Sequence, residues 1–170
     1  MPTTHETRAI APVVLKQLRE RDDAGFTREP FTDPEGGEAL RCCLRRSEVG
    51  ERIVLVSYAP LRRWAAEVGA RPGAYEECGP VFVHAEECDG PTSGTEYPGE
   101  LHGARRVLRA YDTDGHILGG TLIEIPEERA AEVDDALRDV FEDPAVALVH
   151  VRAVEFGCFM VEVRRGGAAR

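Results

Sequence analysis

The chain has 170 residues and a net charge of −10, from 21 basic and 31 acidic side chains. That length suits one domain with a proper core, and 42% hydrophobic with 31% charged residues is ordinary for a globular fold. The acidic balance argues against a nucleic-acid partner, which calls for a basic patch or stripe. No apolar run approaches the roughly 18–20 residues of a membrane span. The first eight residues, Met1 to Arg8, carry no apolar stretch of the kind a secretory signal needs. Five cysteines, two of them neighbours at Cys42 and Cys43, make a poor disulfide framework. Reduced thiols and a cytoplasmic location are therefore expected.

Residues Thr7 to Ile10 read as a short edge strand. Pro12 then suits the first turn of a helix with Val14, Leu15 and Leu18 as its apolar stripe. Residues 25–38 read as loop, punctuated by Pro30, Pro34, Gly36 and Gly37. Leu40 to Arg46 alternates as a strand, with Leu40, Cys42 and Leu44 on one face and Arg41, Cys43 and Arg45 on the other. Ile53 to Tyr58 is the most β-prone run, a central strand. Pro60 to Val68 reads as a helix stopped by Gly69.

Gly79-Pro80 launches a strand over residues 80–86, bringing His84 onto the face of Phe82 with Cys78 and Cys88 near its two ends. Residues 88–103 are loop. Arg105 to Tyr111 pairs through the Asp112–Gly115 turn with a return strand reaching Ile125, interrupted at Gly119-Gly120. Pro126 opens the best helix, striped by Ala130, Val133, Ala136, Leu137, Val140 and Phe141. Two last strands, Val146 to Val154 and Gly157 to Val163, precede a frayed tail over 164–170. Strands in adjacent pairs rather than strand–helix–strand units predict an α+β fold. Its sheet is mainly antiparallel, possibly barrel-like, with six to eight strands and about three helices packed on it.

Four features could carry chemistry. His84 stands near Cys88. Arg41 and Arg45 flank Cys43, and guanidinium charges favour a thiolate. His150 and Arg152 share one face of an apolar strand and need acceptors, which an anion would supply. Cys158 lies in the partner strand. The ligand spacing C-x5-H-x3-C matches no compact zinc knuckle, so no metal or other cofactor is expected. A site assembled from distant strands, drawing on Cys43, His84, Cys88 and Cys158, is the lesser alternative. No phosphate-binding loop, dinucleotide fingerprint or serine-hydrolase elbow is present.

Several motifs together resemble the bacterial family called domain of unknown function 1203. They are Arg41-x-x-Leu44-Arg45, Gly79-Pro-Val-Phe-Val-His-Ala85 with Cys88, Val107-Leu-Arg-Ala-Tyr-Asp112 with Gly115, and Val149-His-Val-Arg-Ala153 followed by Gly157-Cys-Phe159. Leu40 stands where that family often carries cysteine. The resemblance implies a small cytoplasmic bacterial protein, and no activity. It also groups Arg41, His84, Cys88, Arg109, His150, Arg152 and Cys158 as one set. If their strands converge, the expected function is binding of a small anionic metabolite, with Arg41, His84, Arg109, Tyr111, His150 and Arg152 lining the pocket. The alternative is a thiol- or metal-dependent enzyme with Cys43 or Cys88 as nucleophile and His84 or His150 as base. A structural or interaction protein without a ligand is the third reading.

Overall fold

The computed structural model describes residues 4–166. Their ten strands form two five-stranded sheets rather than one sheet of six to eight, and neither closes into a barrel. The first sheet is antiparallel throughout. It contains β1 (His5–Arg8), β7 (Arg105–Tyr111), β8 (Ile117–Glu124), β9 (Leu148–Ala153) and β10 (Phe159–Arg165), in the order β1-β10-β9-β7-β8. The second contains β2 (Phe31–Thr32), β3 (Ala39–Leu40), β4 (Arg45–Arg46), β5 (Arg52–Tyr58) and β6 (Gly79–His84), in the order β2-β5-β6-β3-β4. Its β3–β6 pair is parallel.

Two sheets instead of one follow from the burial pattern. On β9, Val149 and Val151 face one way and are fully buried with Val133 and Leu137 of the third helix, α3 (Val133–Val140), and with Phe141 just past its end. Leu148, on the other face, packs with Tyr111, Leu61 and Trp64 of α2 (Pro60–Val68). A strand apolar on both faces must be covered on both. The second sheet buries Ile53, Val54, Val56, Val81 and Val83 with Leu15 and Leu18 of α1 (Pro12–Glu20). Phe159 joins the halves, its ring edge-on to Tyr58 at 5.6 Å and to His150 at 5.0 Å.

Helix signals read from sequence hold at both α1 and α2, each opened by proline; Gly69 closes α2 at φ 76°. The 126–141 helix does not start where expected. Residues 127–132 form a 3₁₀ turn with Arg129 at φ −114°, ψ 26°, and regular helix begins only at Val133. Strand β10 continues to Arg165, two residues into the segment read as tail, of which 167–170 lie outside the described residues.

The loop after α1 is held by one carboxylate. Asp22 accepts hydrogen bonds from the backbone N–H groups of Ala24, Phe26 and Ser57 and from Arg28 Nε. Burial opposes its ionisation, but these donors outweigh it and hold its pKa at about 2. Asp22→Asn is expected to cost about 1.5–3 kcal/mol in urea unfolding, since a charged acceptor bonded to four donors is replaced by a neutral one. The wild-type advantage is fully present above the ordinary aspartate range. It fades as the pH falls toward the depressed folded value.

Candidate functional site

The largest departure from sequence expectation builds the site. Residues 41–44 are not strand but a tight turn between β3 and β4. Leu44 stands at φ 57°, and its N–H reaches back to the Leu40 carbonyl at 2.9 Å. A strand would have sent Cys42 and Cys43 to opposite faces. The turn points both thiols the same way, with the sulfurs 3.9 Å apart. The side chains of Arg41, Cys43 and Arg45 consequently share no face: Arg41 dives between the sheets and Arg45 turns to Glu51.

Parallel pairing of Leu40 with Phe82 sets this turn beside the end of β6, where His84 is the last residue. His84 Nδ1 lies 3.4 Å from Cys42 Sγ and 3.8 Å from Cys43 Sγ. The His84 backbone N–H donates to Cys42 Sγ at 3.2 Å. Just past the strand, Cys88 brings a third sulfur; one atom from each of Cys42, Cys43, His84 and Cys88 lies within 4.8 Å of all the others. The loop bearing Cys88 is tied down by Arg19 of α1, which donates to the carbonyls of His84 and Glu86 at 2.9 and 3.0 Å.

The outer edge of the imidazole is equally defined. Antiparallel pairing puts Ile53 opposite His84, so Glu51, just ahead of β5, reaches His84 Nε2 at 2.7 Å. A bidentate pair with Arg45, both contacts at 2.8 Å, holds that carboxylate and pushes its pKa well below the usual range, against burial. A carboxylate on Nε2 fixes the proton there and turns the Nδ1 lone pair toward the sulfurs. The thiols are unequal. Cys42 is pushed up by its hydrogen bond to Cys43 and by burial. Cys43 is lowered by the same hydrogen bond, against burial and with help from Arg45. Burial raises Cys88.

The Cys42 and Cys43 sulfurs and the His84 nitrogen are spaced like three corners of a tetrahedron around one ion, with the Cys88 sulfur within 4.8 Å of each. Zinc holds thiolate at about 2.3 Å and imidazole at about 2.0–2.1 Å, which sets corner distances of about 3.8 Å for S···S and about 3.5 Å for S···N. The observed 3.9, 3.4 and 3.8 Å need shifts of a few tenths of an ångström at most. Glu51 supplies the carboxylate behind a ligating histidine that such centres commonly carry.

The expected single pocket separates into two regions. Arg109 and Arg152 both meet Glu77, at 2.6 and 3.4 Å, and Arg152 also donates to the Gly157 carbonyl. Arg41, buried and lowered by that burial to about 10, spends its guanidinium on the Phe159 and Ala39 carbonyls. His150 is fully buried, bonded to Glu162 at 3.1 Å and packed on Tyr111. None of these side chains joins the four-ligand group, and neither does Cys158, whose Sγ lies 4.0 Å from the Phe156 carbonyl. The other candidate ligand group among the described residues is Asp112, Asp114 and His116, where Asp112 instead accepts two backbone N–H bonds of the hairpin turn.

Sequence reasoning found His84, Cys43 and Cys88, left Cys42 out of the candidate ligand set though it weighed the residue as a soft ligand, and missed Glu51. The signal for Cys42 was the adjacency of the two cysteines, which a strand reading assigns to opposite faces. No helix among the described residues is long and apolar enough to cross a membrane. No curated protein and no solved structure matches the chain. A family model described as protein of unknown function (DUF1203) matches residues 37–165, spanning the turn, β6, Cys88 and both arginine strands, and the chain belongs to that family.

Proposed function

We propose that the chain is a metal-binding protein that holds one zinc-like divalent cation through Cys42, Cys43, His84 and Cys88. The observation that carries the reading is the spacing of Cys42, Cys43 and His84, which matches three corners of a zinc tetrahedron, with Cys88 within 4.8 Å and Glu51 behind the imidazole. Soft thiolates with one imidazole favour zinc among the common divalent ions. Four protein ligands make a closed set, which suits an ion that orders the chain more than one that activates water. The ion would clamp the 41–44 turn, the end of β6 and the Cys88 loop together. Titration with zinc against a chromophoric chelator tests this. One equivalent bound per chain is expected; absence of competition by the protein sinks the reading.

A second reading uses the same residues without metal. Cys43 is lowered toward thiolate and borders a polar cleft of about 460 Å³ together with Arg45, Glu51 and His84. That is the setting of a thiol nucleophile with an imidazole beside it. In metal-free protein, Cys43 is expected to alkylate faster than Cys42, measured by mass spectrometry of iodoacetamide adducts at neutral pH. Equal rates would remove the case for a nucleophile. Anion binding by Arg109 and Arg152 has less support, because Glu77 already answers both guanidiniums.

A further inference from the structure

Adjoining the polar cleft through Glu87, Cys88, Asp89 and Gly90 lies a second, larger cavity of about 860 Å³. Its walls are α1 with the segment leading into it and the loop 87–91, and its floor is Cys42 and Cys88. The lining is predominantly apolar, supplied by Ile10, Ala11, Val13 and Leu15. Val13 is 64% exposed, a large apolar side chain left in solvent at the cavity wall. The core does not need it: the buried residues of α1 are Leu15 and Leu18.

One rim is cationic. Positions 12, 16 and 19 fall on one stripe of a helix, so Pro12, Lys16 and Arg19 all line the same wall. Lys16 is the only lysine in the chain and forms no ion pair among the described residues. Arg19 donates to two backbone carbonyls and forms no ion pair among the described residues. Arg8 is answered by Glu6. Glu87 and Asp89 stand on the opposite loop and confine negative charge to that side.

We propose that this cavity binds an amphipathic organic acid, its apolar body between α1 and the 87–91 loop and its single anionic end at Lys16. The size lies in the range of small-molecule sites, roughly 300–1,000 Å³, and such sites combine an apolar lining with few polar anchors. The position goes beyond metal binding: α1 builds one wall, and its Arg19 holds the start of the loop that builds the other through the His84 and Glu86 carbonyls. The inner end of the body would rest against the Cys42 and Cys88 sulfurs, so the bound acid would shield Cys88 from one side.

Isothermal titration of the full chain with decanoate tests the site. Saturable 1:1 binding is expected below the micellar range. Lys16→Glu should weaken it about tenfold, the worth of one charge-assisted contact. Val13→Asp should weaken it comparably, and decanol should bind less tightly than decanoate. Both substitutions are at exposed positions, so the fold is retained. After chelator treatment the affinity should persist, and decanoate should slow alkylation of Cys88, which separates this result from the fate of the zinc reading. No saturable binding, equal affinity in both variants, or a dimer closed over α1 in the absence of decanoate would each overturn the proposal.

Discussion

His84→Ala is expected to lower zinc affinity at least a hundredfold, and Glu51→Gln about 10–100-fold, the usual cost of losing a partner behind a metal ligand. Cys43→Ser should fall with His84→Ala. Cys158→Ser is the control: its sulfur lies outside the four-ligand group, so full affinity is expected. Stability should follow. Zinc free at about 100 times its Kd adds about 2.7 kcal/mol to a chain that binds it only when folded, and that increment should vanish in His84→Ala. The affinity should also fall with pH. Zinc takes thiolates, and in the metal-free chain the hydrogen bond to Cys43, with burial, raises Cys42 while burial raises Cys88, so the ion must displace their protons. The checks are chelator competition from pH 6 to 8 and thermal shift with and without zinc.

Glu162→Ala is expected to be among the more damaging single substitutions, at about 1–3 kcal/mol, because it leaves the buried His150 N–H without its acceptor and takes from Arg164 one of its two carboxylates, the other being Glu67. Glu162 accepts from His150 at 3.1 Å and from Arg164 at 2.7 Å, in the seam where β9 and β10 face the second sheet. Burial keeps His150 below its ordinary pKa, so it is neutral in the fold and donates from Nε2. The partners, His150 first, hold Glu162 below the usual carboxylate range despite its burial. The pH dependence follows from both directions. A histidine depressed in the fold takes up its proton more readily when unfolded, so stability is full above its unfolded value, about 6.5, and falls as the pH drops below it. The depressed carboxylate adds a further loss below about 4.5. Urea midpoints should therefore decline from pH 7 to pH 5. In His150→Gln, which keeps a donor for Glu162 without titrating, that decline should flatten.

Much of the fold was legible because its signals are local. Pro12, Pro60, Gly69 and the Asp112–Gly115 turn marked their boundaries to within a residue or two. The division into two sheets was not, since it depends on which strands pair across 40 residues or more, as β3 does with β6. The site was half legible. His84 and the thiols announced themselves by residue type. Their convergence hinged on Leu44 in a left-handed conformation, which a β-alternating sequence hides and which glycine or asparagine would have advertised. The arginines misled for a related reason. Side-chain acceptors in the sequence are countable, but backbone carbonyls such as Phe159, which occupies Arg41, become visible only once the chain is folded.

X-ray absorption at the zinc edge of the stoichiometric complex is the most direct measurement of the central claim. The account predicts three sulfur scatterers at about 2.3 Å and one nitrogen at about 2.0–2.1 Å. A first shell of nitrogen and oxygen, with one sulfur or none, would contradict it and return the four residues to metal-free thiol chemistry.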